Sequence, residues 1–189
     1  SINFLFPRII EFPKLRQLNQ NYSEICITFK ITGNQFVIHN VDFPDAIYAN
    51  GDEVTLSVES TEDNSLKYTF ISEITIIRII WYNKQLTTCE NMFYSIEYIT
   101  KIDLSQFDSS KVVTTSGMFY RCKGLTEINL SNFDTSSVTN MANMFFACES
   151  LTSVDVSSFN TSKVENMLNL FGYDIELLSM DLSNFDTSK

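Results

Sequence analysis

The chain has 189 residues, 44% of them hydrophobic and 13% aromatic, with only five glycines and three prolines. That is enough apolar material for a real core, and it excludes wholesale disorder as well as collagen-like or Gly/Ser-linker chains. Acids outnumber bases 23 to 13, giving a formal charge of −10 at pH 7, so nucleic acid and anionic lipid are repelled rather than bound.

All three prolines, Pro7, Pro13 and Pro44, fall in the first 50 residues. Asn19 to Tyr22 reads as loop. Ile25–Thr32 and Gln35–His39 are β-rich runs joined by Gly33-Asn34, a two-residue hairpin signal. Asn50-Gly51 is a second such signal, leading into Glu53–Glu59, and Asp63-Asn64 precedes Leu66–Ile71. Residues 1–72 are thus expected to form a small N-terminal antiparallel β capping domain. The next stretch, 74–82, is the most apolar of the chain, but Arg78 interrupts it and it is far shorter than the roughly 20 residues of a spanning helix. No membrane span is expected in this segment. The chain opens on Ser1 with no basic-then-apolar leader and reads as a piece of something longer.

From here on the chain repeats itself every 26 residues. Met92-Phe93, Met118-Phe119, Met144-Phe145 and Leu170-Phe171 form one series, and Phe107, Phe133, Phe159 and Phe185 another. Apolar columns run through Ile99, Leu125, Leu151, Leu177 and through Ile102, Ile128, Val154, Met180. In each unit two apolar residues stand two apart, as in Val154-Asp-Val156, which is the spacing of one face of a strand. A polar turn such as Ser-Asn-Phe-Asp-Thr-Ser follows, where Asp or Asn bonds its own downstream backbone. One such unit cannot offset the entropy of ordering it, roughly 1–2 kcal/mol per residue, so units must stack in register. The expected fold is a solenoid with a parallel β-sheet, 26-residue coils and little regular helix over 73–189. A degenerate first coil at 73–93 precedes repeats at about 94–119, 120–145 and 146–171 and a partial one at 172–189.

The segment Leu125 to Cys148, LTEINLSNFDTSSVTNMANMFFAC, resembles the BspA-like leucine-rich repeat of microbial 26-residue-repeat surface proteins, and the likeness extends over about 81–189. The resemblance implies a leucine-rich-repeat solenoid in a cell-surface or secreted protein, often an adhesive one, with no enzymatic activity tied to the repeat and no catalytic residues to carry over. Thr115, where Met is usual, and Tyr173-Asp174, where Gly-Cys is usual, depart from the pattern.

Candidate chemistry is sparse. Cys26, Cys89, Cys122 and Cys148 show no C-x-x-C spacing, so no zinc site is expected. Cys122 and Cys148 share a column on consecutive coils, about 4.8 Å apart, within disulfide reach. The expectation is a ladder of buried thiols, with a Cys122–Cys148 disulfide as the alternative. Asp103, Asn129, Asp155 and Asp181 form an outward acidic column whose spacing approaches the roughly 5–5.5 Å of retaining glycosidase carboxylates. With no sign of a water-excluding pocket, a solvated stripe is expected instead, with weak calcium binding the lesser alternative. His39 lies near Asp42, but no G-x-S-x-G surrounds any serine, and phosphate-cradling glycine loops are absent from the sequence. Asn21, Asn129 and Asn160 are N-x-[ST] acceptors, open to glycosylation in a eukaryotic secreted source only.

The functional expectation is a non-catalytic extracellular or cell-surface adhesion module without cofactor or metal. It would present Glu127, Asn129, Ser153, Asp155, Ser179 and Asp181 to a protein or glycan partner. The alternative is a structural subunit of an extracellular glycoprotein filament or coat, assembled from copies of itself.

Overall fold

The computed structural model describes the backbone at 22–29, 35–38, 44–49, 52–53, 59–60, 66–69 and 76–188, and side chains at 22–28, 44–49 and 76–188. Nine strands are described: β1 (Tyr22–Phe29), β2 (Gln35–Ile38), β3 (Ala46–Ala49), β4 (Asp52–Glu53), β5 (Glu59–Ser60), β6 (Leu66–Thr69), β7 (Ile76–Tyr82), β8 (Ile99–Gln106) and β9 (Glu127–Asn129). A six-stranded sheet has the order β4-β3-β7-β1-β8-β9, and a three-stranded sheet has the order β2-β6-β5.

This corrects the expected leucine-rich-repeat solenoid with a parallel sheet. The main sheet is mixed and mostly antiparallel, and β8–β9 is its one parallel pair among the described residues. There is no α-helix among the described residues. β1 enters antiparallel between β7 and β8, where a parallel sheet would have set β7 beside β8. Period-two alternation lets it fit: Ile25 and Ile27 are fully buried in the core, and Ile77, Ile79 and Ile102 are buried on its neighbours. One row of partners, Ala49, Ile77, Ile27, Ile102 and Ile128, then crosses five strands.

The Gly33-Asn34 hairpin is also corrected. Its flanking strands lie in different sheets, β1 against β7 and β8 and β2 against β6; the turn itself is outside the described residues. Flanking Asn50-Gly51, β3 and β4 do pair antiparallel, with Ala49 opposite Asp52.

Past β8 the named strands end with the three residues of β9, and the rows are joined by single parallel bridges, Thr88 to Thr114, Thr114 to Asn140 and Asn140 to Asn166. Backbone bonds at alternate residues join them too, in which the N–H groups of Thr115, Gly117, Phe119 and Arg121 donate to the carbonyls of Asn140, Ala142, Met144 and Phe146. Side chains spaced 26 residues apart carry the packing. Phe93, Phe119, Phe145 and Phe171 stack at centroid distances of 5.7, 5.2 and 5.3 Å. Phe107, Phe133, Phe159 and Phe185 follow at 6.1, 6.3 and 6.4 Å, and Trp81 meets Phe107 edge-on at 6.2 Å. A third column lies at the surface, where Tyr94, Tyr120 and Phe146 stack at 4.7 and 5.0 Å and Tyr173 leans on Phe146 at 5.1 Å. At 172, where a further aromatic would fall, stands a glycine; a Cβ there would meet the Phe146 ring at 3.0 Å.

Candidate functional site

The outward face of β8 and β9 is built by strand alternation. Ile102, Leu104 and Ile128 point inward, leaving Lys101, Asp103, Glu127 and Asn129 half-buried on the other side. Lys101 Nζ lies 2.7 Å from Glu127 Oε1 across the parallel pair. The remaining residues expected on this face, Ser153, Asp155, Ser179 and Asp181, are exposed. Beside them runs a second ladder, in which Lys123 lies 3.5 Å from Glu97 and 3.6 Å from Glu149.

The acidic column has a local task. Ser105 N donates to Asp103 Oδ1 at 2.8 Å, Ser131 N to Asn129 Oδ1 at 3.1 Å, Ser157 N to Asp155 Oδ1 at 2.9 Å and Ser183 N to Asp181 Oδ1 at 2.9 Å. These are Asx turns. The bonds from Ser157 and Ser183 hold the Asp155 and Asp181 carboxyls below the usual range. Close carboxylates serve acid–base chemistry when one of them is pushed up and keeps its proton; here both are pushed down. Asp108, Asp134, Asn160 and Asp186 close the same turn on the serines at 110, 136, 162 and 188. Asn129 and Asn160 thus use their Oδ1 in turns, with Asn160 exposed and Asn129 half-buried. The other glycosylation candidate, Asn21, and His39 lie outside the described residues.

The cysteines are free thiols, which removes the Cys122–Cys148 disulfide from this structure. Cys122 Sγ donates to Phe93 O at 3.1 Å and Cys148 Sγ to Phe119 O at 3.2 Å, so both serve the stacking of neighbouring rows. Burial pushes Cys122 up to about 12 and Cys26 up to about 11, and raises Cys89 and Cys148 as well. A thiol so protonated is a poor nucleophile. Asp174 continues the cysteine column. Its Oδ1 accepts from Cys148 N at 2.7 Å, its Oδ2 is buried without a hydrogen-bond partner, and burial raises its carboxyl to about 6. Among the described residues no three His, Cys, Asp or Glu gather as a metal site, and no helix is long and apolar enough to cross a membrane.

Two features escaped the sequence reading. Buried hydroxyls form a column in which Ser109 Oγ accepts from Asp134 N, Thr135 Oγ1 from Asn160 N and Thr161 Oγ1 from Asp186 N, each at 2.7 Å. In the first row Ser23 Oγ of β1 does this for Asp108 N at 2.9 Å. Hydroxyls recurring at 109, 135 and 161 were the available signal, but nothing upstream marked Ser23 as their equivalent. The other is a polar cleft lined by Tyr22, Ser23, Asn83, Lys84, Gln85 and Asp108.

No curated protein and no solved structure matches the chain. The model of one family, described as "Mycoplasma protein of unknown function, DUF285", matches residues 87–189, the stretch that holds every column of stacked rings above. That is more than half of the sequence, and the chain belongs to this family.

Proposed function

We propose that the chain is a non-catalytic interaction module at a cell surface or in the extracellular space. It engages a protein or glycan partner through the solvent side of β8 and β9 and the polar positions at 153, 155, 179 and 181. The observation that carries this reading is the set of Asx turns along that face, which tie each Asp or Asn side chain to the backbone two residues on. A face already ordered in this way binds without a large loss of side-chain entropy. The ionised state of Asp155 and Asp181 suits them to recognition of donors rather than to proton transfer. The resemblance of 81–189 to BspA-like surface proteins supports the location.

The test is capture by the immobilised protein of host-cell surface glycoproteins and of an arrayed glycan set. The comparison is with a Glu127→Ala/Ser153→Ala/Ser179→Ala variant, which leaves the turn-closing carboxylates in place. The expected result is binding that falls at least tenfold in the variant. Binding that the variant leaves unchanged, or no binding to either set, overturns the reading.

A further inference from the structure

The polar cleft beside β1 has a volume of about 320 Å³. Its origin is the insertion of β1. Tyr22 pairs with Tyr82 and Glu24 with Gln106, so at the start of β1 the flanking chains stand two strand spacings apart, roughly 9–10 Å. They come together again only at the bridge between Thr88 and Thr114. In between, Gln85 Nε2 reaches Asp108 Oδ2 at 2.9 Å across the opening.

Insertion also releases a side chain. Asn83 stands 26 residues before Ser109, in the column of hydroxyls that cap the following row. Ser23 has taken over that cap, and Asn83, in the left-handed conformation at φ 53°, is exposed and lines the cleft instead.

The lining points to a class of ligand. The side-chain amides of Asn83 and Gln85 each offer a donor and an acceptor on one planar group, which suits neighbouring hydroxyls. The Tyr22 ring, 39% exposed, supplies an apolar wall for C–H groups. The charged groups are answered within the fold: Lys84 lies 3.3 Å from Asp45, and Asp108 holds bonds from Ser110 and Gln85 that keep its carboxyl below the usual range. A neutral hydroxylated molecule fits this set better than an ion. We propose that the cleft binds a neutral saccharide unit, with the amides of Asn83 and Gln85 bonding its hydroxyls and Tyr22 packing against its ring. This site is separate from the face of β8 and β9.

The experiment is a titration of the ¹⁵N-labelled chain with glucose, galactose and N-acetylglucosamine, followed by amide chemical shifts. Saturable shifts are expected for at least one sugar at 22–23, 83–85 and 108. Gln85→Ala and Tyr22→Ala should each weaken that binding at least tenfold, with the rest of the spectrum unchanged. If Tyr22→Ala unfolds, Gln85→Ala decides alone. No cleft shifts with any of the three sugars, or shifts that survive Gln85→Ala at full affinity, overturn the proposal. The face variant keeps the two readings apart. A silent cleft with a face-dependent partner ends this inference alone, whereas sugar binding in the cleft with no face-dependent partner ends only the reading of the face.

Discussion

The two halves of this molecule solve one problem by different means. Around β1, β7 and β8 the chain is held by backbone: a seven-residue antiparallel register joins β1 to β7, and isoleucines fill the inner face. Beyond β9 the backbone joins neighbouring rows only by bonds at alternate residues along one stretch, such as 141, 143, 145 and 147 to 166, 168, 170 and 172, and ring stacks, buried thiols and hydroxyl caps at 26-residue steps add to them. The first region draws on a ladder that tolerates many side chains, provided their inward faces are apolar. In the second, identity at each column matters as well, because each ring stacks directly on its equivalent in the next row.

Ring deletion should break this contrast most severely. Phe119 is fully buried, with Phe93 at 5.7 Å and Phe145 at 5.2 Å on either side. Phe119→Ala should cost about 3–5 kcal/mol in urea unfolding, since it removes a stacked ring and leaves a cavity. A loss below about 1 kcal/mol would show that the column does not hold the rows.

Close backbone approach comes next. A Cβ at Gly124 would lie 2.5 Å from the Glu97 carbonyl oxygen, in the preceding row. That atom cannot rotate aside, so Gly124→Ala should destabilise by about 1–3 kcal/mol. At Gly117 the obstacle is the Asn91 side chain, and the backbone is left-handed at φ 61°. An alanine there is strained as well, and Asn91→Ala should relieve the clash but not the strain.

The hydroxyl caps compare the two regions directly. Ser23 caps from an antiparallel strand and Ser109 from the preceding row, yet their bonds are 2.9 and 2.7 Å and both are buried. Ser23→Ala and Ser109→Ala should each cost about 1–2 kcal/mol by leaving a main-chain N–H unpaired. Markedly unequal losses would mean that β1 does not stand in for a row.

The smallest effect is one of pH. Burial disfavours the charge of Asp174 and raises its carboxyl from the ordinary 3.8 to about 6 in the fold. The folded state therefore holds the proton more tightly, and this contribution to stability is present below about pH 4 and lost as pH rises toward 6. Asp174→Asn should raise the melting temperature relative to the parent at pH 7.5, and the gain should vanish by pH 4. A gain that does not change with pH would show that the carboxyl titrates normally.

Much of the packing was legible from spacing alone. A 26-residue recurrence of Phe, Val and Met-Phe can be satisfied only by bringing those residues together, and the rings do meet. The outward placement of Asp155 and Asp181 followed from alternation in the same way. Strand pairing was not legible. Ile25 and Ile27 alternate as a hairpin strand would, and nothing local records that their partners are Ile79, Ile77 and Ile102 rather than β2. The cleft was hidden for the same reason, since Asn83 and Gln85 look like ordinary loop residues until β1 is seen to hold the flanking chains apart.

By itself the sequence determined which side chains are equivalent, because a fixed period imposes a fixed set of neighbours whatever the direction of the strands. Only the tertiary structure decided that an upstream strand wedges between β7 and β8 and turns the sheet mainly antiparallel. Alternating apolar residues fit a parallel and an antiparallel neighbour alike, so the choice rests on contacts made far apart in the chain.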